Sequence, residues 1–146
     1  MGEYLLEIQD LKTYFKVRAG RVRAVDGVSF GVRPGEKVGV VGESGCGKSV
    51  TALSIMRLLP RPAGEVAGGS ILFDNLEVLD LSEKEMRGIR GGKIGMIFQD
   101  PMTCLNPTMT VGKQIAEALR IHLKLDKDEA HKRSIALLEQ VGIPAA

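Results

Sequence analysis

Eight consecutive residues, Gly42-Glu43-Ser44-Gly45-Cys46-Gly47-Lys48-Ser49, satisfy the pattern G-x-x-x-x-G-K-[ST] in full. Each part answers a need of phosphate chemistry. Glycines at 42, 45 and 47 let the backbone curl until successive N–H groups point inward around phosphate oxygens. Lys48 supplies a mobile full charge for the β- and γ-phosphates. The Ser49 hydroxyl suits a Mg²⁺ ion that keeps most of its waters. With Val50 in the following turn, residues 42–50 form the candidate nucleotide cradle.

The flanking sequence has the context this loop requires. Residues 37–41, KVGVV, are short and β-branched, which predicts a strand buried on both faces in a parallel sheet. After the loop, Ala52, Ile55, Met56 and Leu59 recur at helical spacing. No charge falls between Lys48 and Arg57, and Pro60 ends the pattern. A helix starting near Lys48 aims the positive end of its dipole at the cradle.

Hydrolysis also needs an Asp on a second buried strand for Mg²⁺ and a group that orients water. Two apolar runs end in Asp, at Asp74 and at Asp100. Asp74 begins an Asp-Asn turn, and Asp100 precedes Pro101, where it could cap a loop. Both remain open as magnesium ligands on local sequence.

The remaining elements follow from composition and periodicity. Residues 4–15 and 22–32 read as strands around a turn at Arg18–Arg21, the second bulged at Gly27. Residues 60–69 read as a loop, SILFD as a strand, and Asp74-Asn75 as a turn. Ser82 and Glu85 have capping-box spacing, predicting a helix to about Arg90, broken by Gly91-Gly92. Residues 93–99, KIGMIFQ, read as another buried strand. Helices are expected from about Thr110 to Leu125, and after Asp126, whose spacing to Glu129 repeats the capping pattern. The second carries Ser134, Leu137, Leu138 and Val141 on one stripe and ends at Gly142.

Length and composition bound the function. The 146 residues suit one domain or part of one, with an ordinary 44% hydrophobic and 26% charged content. Twenty basic against 18 acidic residues leave a formal charge of +2, which gives no case for nucleic acid as the main partner. No apolar run approaches the ~20 residues of a membrane span. Two cysteines, Cys46 and Cys104, cannot build a disulfide framework or a four-ligand metal site, and a reducing cytoplasm is the default.

The order of segments resembles the N-terminal part of an ABC transporter ATP-binding subunit. Gln99, about 50 residues after the phosphate loop, resembles the family's Q-loop glutamine. The stretch FQDPMTCLNPTMTV, with AVDGVSF and GESGCGKS, is similar to the oligopeptide, dipeptide and nickel importer type. The likeness runs over essentially the whole chain, with Cys104 standing where serine is usual. It implies an α/β P-loop core of ABC ATPase type with an N-terminal antiparallel β section and the start of a helical subdomain. The implied division is 1–35, 36–100 and 101–146.

The resemblance also implies roles. Phe15, with Tyr14 in reserve, would stack on adenine. Gln99 would reach Mg²⁺ or the attacking water, and Lys48 would serve the phosphates. Residues Pro101–Thr110 would receive a helix of the membrane permease through Met102, Leu105 and Met109. ATP and Mg²⁺ would be the cofactors. A second ATP-binding subunit, identical or paralogous, would be the partner, with an extracytoplasmic solute-binding protein involved indirectly. The place would be the cytoplasmic face of the membrane.

The family's signature motif, its strand ending in Asp-Glu and its switch histidine are not in this sequence, since His122 and His131 lack the context of that residue. A truncated chain is therefore expected, inactive by itself but drawn from an ATPase. Two other readings compete: a self-contained P-loop kinase or GTPase using Asp74 for magnesium, and an interaction module that no longer turns over nucleotide.

Overall fold

Strand β1 (Leu6–Val17) turns back through Arg18 and Ala19 into β2 (Gly20–Val32). On its other edge β1 pairs with β3 (Gly64–Phe73), which pairs in turn with the two-residue β4 (Leu76–Glu77). All these pairings are antiparallel, in the order β2-β1-β3-β4. The computed structural model describes residues 3–100 and 104–143. The chain divides into two compact units, Met1–Met86 and Arg87–Ala146.

One face of the sheet is buried through Ile8, Leu11 and Thr13 of β1, Val25 of β2, and Ile71 and Phe73 of β3. A period of two would not place Ile8 and Leu11 on one face. An irregularity between them, with Asp10 at φ 48°, inserts the extra residue that restores the inward register. Here Gly69 of β3 comes so close that a Cβ would lie 2.5 Å from the Asp10 carbonyl oxygen. That contact explains why residues 64–69 are strand and not the expected loop. Their glycines make room for a neighbouring backbone within the sheet. The Asp74-Asn75 turn forms as read, with φ 51° and 61°, the conformation of a two-residue hairpin.

Helix α1 (Lys48–Ile55) is shorter than its apolar pattern. It stops because Arg57 adopts φ 51° and sends its guanidinium to the carbonyls of Val78 (3.2 Å) and Leu81. Helix α2 (Glu83–Ile89) begins at the Ser82–Glu85 capping box. The Ser82 amide (2.7 Å) and hydroxyl (2.6 Å) both donate to the Glu85 carboxylate, and the Glu85 amide returns a bond to Ser82 Oγ at 3.3 Å. These bonds hold the Glu85 carboxyl below its ordinary range, the hydroxyl contributing most.

In the second unit, α3 (Val111–Leu123) packs on α4 (Lys127–Gln140). The α4 helix buries Ala130 and Ser134, whereas Val141 at the end of the expected stripe is exposed. Gly142, at φ 82°, donates to Glu139 O, and Ile143 donates to Leu138 O, closing the helix with a Schellman motif.

Two expected strands do not form. Residues 37–41 and 95–99 make no ladder among the described residues, and of the 93–99 run only Ile94 makes an isolated bridge, to Arg90. Val41 is 92% exposed and Ile97 98%. Their composition is that of a parallel sheet's interior, but a strand exists only where neighbours accept its hydrogen bonds.

Candidate functional site

The phosphate loop lies in the first unit, ahead of α1. Gly45 at φ 83° and Gly47 at φ 96° take the left-handed backbone that the curl requires. Gly42 is crowded, since a Cβ there would sit 2.5 Å from Cys46 Sγ. Gly47 is buried against β2, where a Cβ would run into the Ala24 carbonyl oxygen. The loop is thus pressed onto the sheet by a contact only glycine allows.

Lys48 folds back over this loop. Its Nζ donates to Gly42 O at 2.8 Å and to Glu43 O at 2.6 Å, and lies 3.5 Å from Cys46 Sγ. Helix α1 has no side-chain cap and no acidic residue in its first turn. Its leading amides therefore have no side-chain acceptor, a condition that favours an anion. Ser49 is exposed in that turn, Val50 is half-buried, and Glu43, Ser44 and Cys46 lie on the surface. A cavity of about 470 Å³ opens beside the loop, bounded by Val25, Val38, Val41, Cys46, Lys48 and Thr51. One ammonium, one exposed hydroxyl and helix amides without a side-chain acceptor are donors of the kind that a polyphosphate and its magnesium ion require.

The two aromatic candidates separate on the sheet. Phe15 is half-buried, on the same side of β1 as Thr13 by strand alternation. Its ring lies over Gly64, where a Cβ would be 2.9 Å from Phe15 Cε1. Tyr14 points the other way and is engaged: its hydroxyl donates to Asp26 Oδ1 at 2.7 Å, and the Arg23 guanidinium stands 5.8 Å from its ring centre. The bond to Asp26 holds the Tyr14 hydroxyl above its ordinary pKa and the Asp26 carboxyl below its own.

Asp74 is exposed in the hairpin turn after β3. Gly47 rests on Ala24 and touches Val25, which aligns through Thr13 with Val66. From Val66 to Asp74 the strand runs eight residues, roughly 25 Å at strand rise. That places Asp74 far from the loop and removes the basis for the kinase-like alternative.

In the second unit Gln99 is exposed at the end of the unpaired segment, and Asp100 O accepts a bond from Cys104 Sγ at 3.4 Å. Of the expected permease-facing residues, Leu105 and Met109 are partly exposed. Met102 lies outside the described residues. Sequence reasoning missed what shapes this loop. Gln114 accepts from the Asn106 amide at 3.0 Å and donates to Asn106 O (3.0 Å) and Met109 O (3.1 Å). Asn106 Oδ1 in turn takes the Thr108 amide and hydroxyl. No motif announces a glutamine that braces a loop eight residues before it. His122, half-buried, packs on the Gly91-Gly92 break, and His131 is exposed. Among the described residues, no group of three or more His, Cys, Asp or Glu side chains could hold a metal, and no helix is long and apolar enough to cross a membrane.

Known proteins carry the same architecture. Over 92% of its length the chain superposes on a dimeric ATP-binding cassette, MJ0796, bound to ADP and Pi, with a TM-score of 0.78 and 26% identity, spanning 56% of that chain. It is 56% identical over 140 residues to the oligopeptide transport ATP-binding protein OppD of Bacillus subtilis, covering 96% of this chain and 39% of OppD. It is 55% identical over 142 residues to the dipeptide transport ATP-binding protein DppD of the same organism, covering 97% of this chain and 42% of DppD. The chain thus spans about two fifths of the length of these relatives. Residues 25–146 match the family described as ABC transporter. On this match and the likeness to these relatives, the chain belongs to the ABC transporter family, as part of an ATP-binding domain.

Proposed function

We propose that this chain binds MgATP as part of the energy-coupling ATPase subunit of an importer for di- or oligopeptides. The observation that carries the reading is the loop itself, with Lys48 Nζ poised over Gly42 and Glu43 in front of an uncapped helix. The peptide class rests on the names of OppD and DppD.

The backbone of Gly42, Glu43, Ser44, Gly45, Cys46, Gly47, Lys48, Ser49 and Val50 surrounds the phosphates, and the Lys48 ammonium follows the β/γ bridge. The Ser49 hydroxyl is the magnesium-facing group of the loop, and Gln99, in the second unit, keeps the role that the family resemblance implies for it, toward Mg²⁺ or the attacking water. Phe15 is the adenine platform, since Tyr14 is held by Asp26. When bound, MgATP supplies the phosphoanhydride whose cleavage drives transport. We place the subunit on the cytoplasmic face of the membrane, paired with a second ATP-binding subunit. The permease docks near Pro101–Thr110, and the extracytoplasmic solute-binding protein acts indirectly.

Calorimetric titration of the 146-residue chain with MgATP tests the first step. Saturable binding that Lys48→Ala strongly weakens supports the reading, and binding unchanged by that substitution overturns it. In the intact transporter, the same substitution should stop uptake of a labelled dipeptide or oligopeptide.

A further inference from the structure

The motif reading leaves two buried hydroxyls unused. Thr13 and Ser54, 41 residues apart, are both fully buried, and their oxygens lie 2.8 Å apart. Ser54 Oγ donates to Val50 O at 2.7 Å. With its proton so committed, Ser54 accepts from the Thr13 hydroxyl. A directed chain of bonds therefore runs from β1 through α1 to Val50, in the first turn after the phosphate loop.

The ends of this chain matter. Thr13 is two residues before Phe15 on the same side of β1, about 7 Å along the strand. Ser54 is six residues after Lys48, about 9 Å along the helix. We propose that the Thr13–Ser54 bridge is a positioning device that fixes the base platform at Phe15 relative to the phosphate cradle at α1. It acts through Phe15 and the loop, so it rests on the nucleotide reading given above. A hydrogen bond suits this role better than apolar contact, because its length and direction are narrowly defined. A ligand that spans both ends gains from the fixed spacing, whereas one that uses only the cradle does not.

The test compares two probes on the 146-residue chain: MgATP, which spans platform and cradle, and magnesium tripolyphosphate, which reaches the cradle alone. Thr13→Val keeps the shape and removes the donor, and Thr13→Ser restores it. The inference expects Thr13→Val to weaken MgATP about three- to tenfold, part of the value of one stacked base, with tripolyphosphate unchanged. Thr13→Ser should return the ratio of the two affinities to the parent value. In a Phe15→Ala background, Thr13→Val should no longer move that ratio. Tripolyphosphate is an internal reference, so a general loss of folded protein leaves the ratio untouched. Equal weakening of both probes, or no change in the ratio, overturns the inference while leaving the platform reading intact. A Phe15→Ala variant with unaltered MgATP affinity overturns the platform reading and the inference together.

Discussion

Two kinds of helix start coexist in this chain. At α2, α3 and α4 the leading amides are met by side chains: Ser82 with Glu85, Thr110 to Lys113 N, and Asp126 to the amides of Asp128 and Glu129, both at 2.9 Å. At α1 the capping position is Gly47, which has no side chain to offer. A capped start is complete within its own sequence, and its residues contribute to stability. The α1 start has no side-chain acceptor, and the loop ahead of it rests on the sheet at the Gly47–Ala24 contact. The difference separates residues that stabilise the fold from residues that, on the proposed reading, meet a ligand.

That contrast breaks most severely at Lys48. Lys48→Ala should weaken MgATP about a hundredfold, the value of one or two charge-assisted bonds, with little change in unfolding midpoint. Calorimetry beside denaturant melts would show the two effects apart. Gly47→Ala should damage both functions at once. Its φ of 96° and the Ala24 oxygen leave a methyl group no place. A stability loss of about 1–3 kcal/mol, with weakened MgATP binding, is expected in the same pair of measurements.

The capped starts should answer in the opposite sense. Asp126→Ala should cost about 1 kcal/mol in urea unfolding and leave MgATP affinity at the parent value. A change in affinity would show that the caps and the cradle are not separable. The smallest effect concerns Glu85, whose folded pKa is lowered by Ser82. A lowered pKa means the charged form is favoured in the folded state. Its contribution is present above the ordinary carboxylate range near pH ~4.3 and is lost as pH falls through it and below. Comparing melts of the parent and Glu85→Gln from neutral to acidic pH should show their difference shrinking on acidification. A difference independent of pH would assign the cap to shape alone.

What the sequence revealed was local. The phosphate loop, the capping residues at 82 and 126, the Asp74-Asn75 turn and the Gly142 stop are each written in a few neighbouring residues, and each formed. What it concealed depends on partners distant in sequence. Residues 37–41 and 95–99 have the composition of buried strands, but their pairing is a property of the neighbours. Gly68 and Gly69 read as loop residues because nothing nearby reveals that the Asp10 backbone passes over them. The α1 helix ends early because Arg57 finds carbonyls more than 20 residues away. Lys48, folded over the phosphate loop, and Gln99, exposed in the second unit, were marked as candidates by motif and resemblance. The Thr13–Ser54 bridge and the Gln114 brace were not, since their partners lie 41 and up to eight residues away and no pattern marks them.

The bonds from Lys48 Nζ to Gly42 O and Glu43 O have a consequence for how the loop fills. Filling is an exchange reaction at one nitrogen. On the proposed nucleotide reading, the ammonium exchanges carbonyl oxygens for phosphate oxygens, so affinity measures its preference between two sets of partners. An anion too short to reach from the amides to that nitrogen leaves the ammonium latched to the chain. On the same reading, such a latch would favour ligands long enough to reach it from the amides of α1.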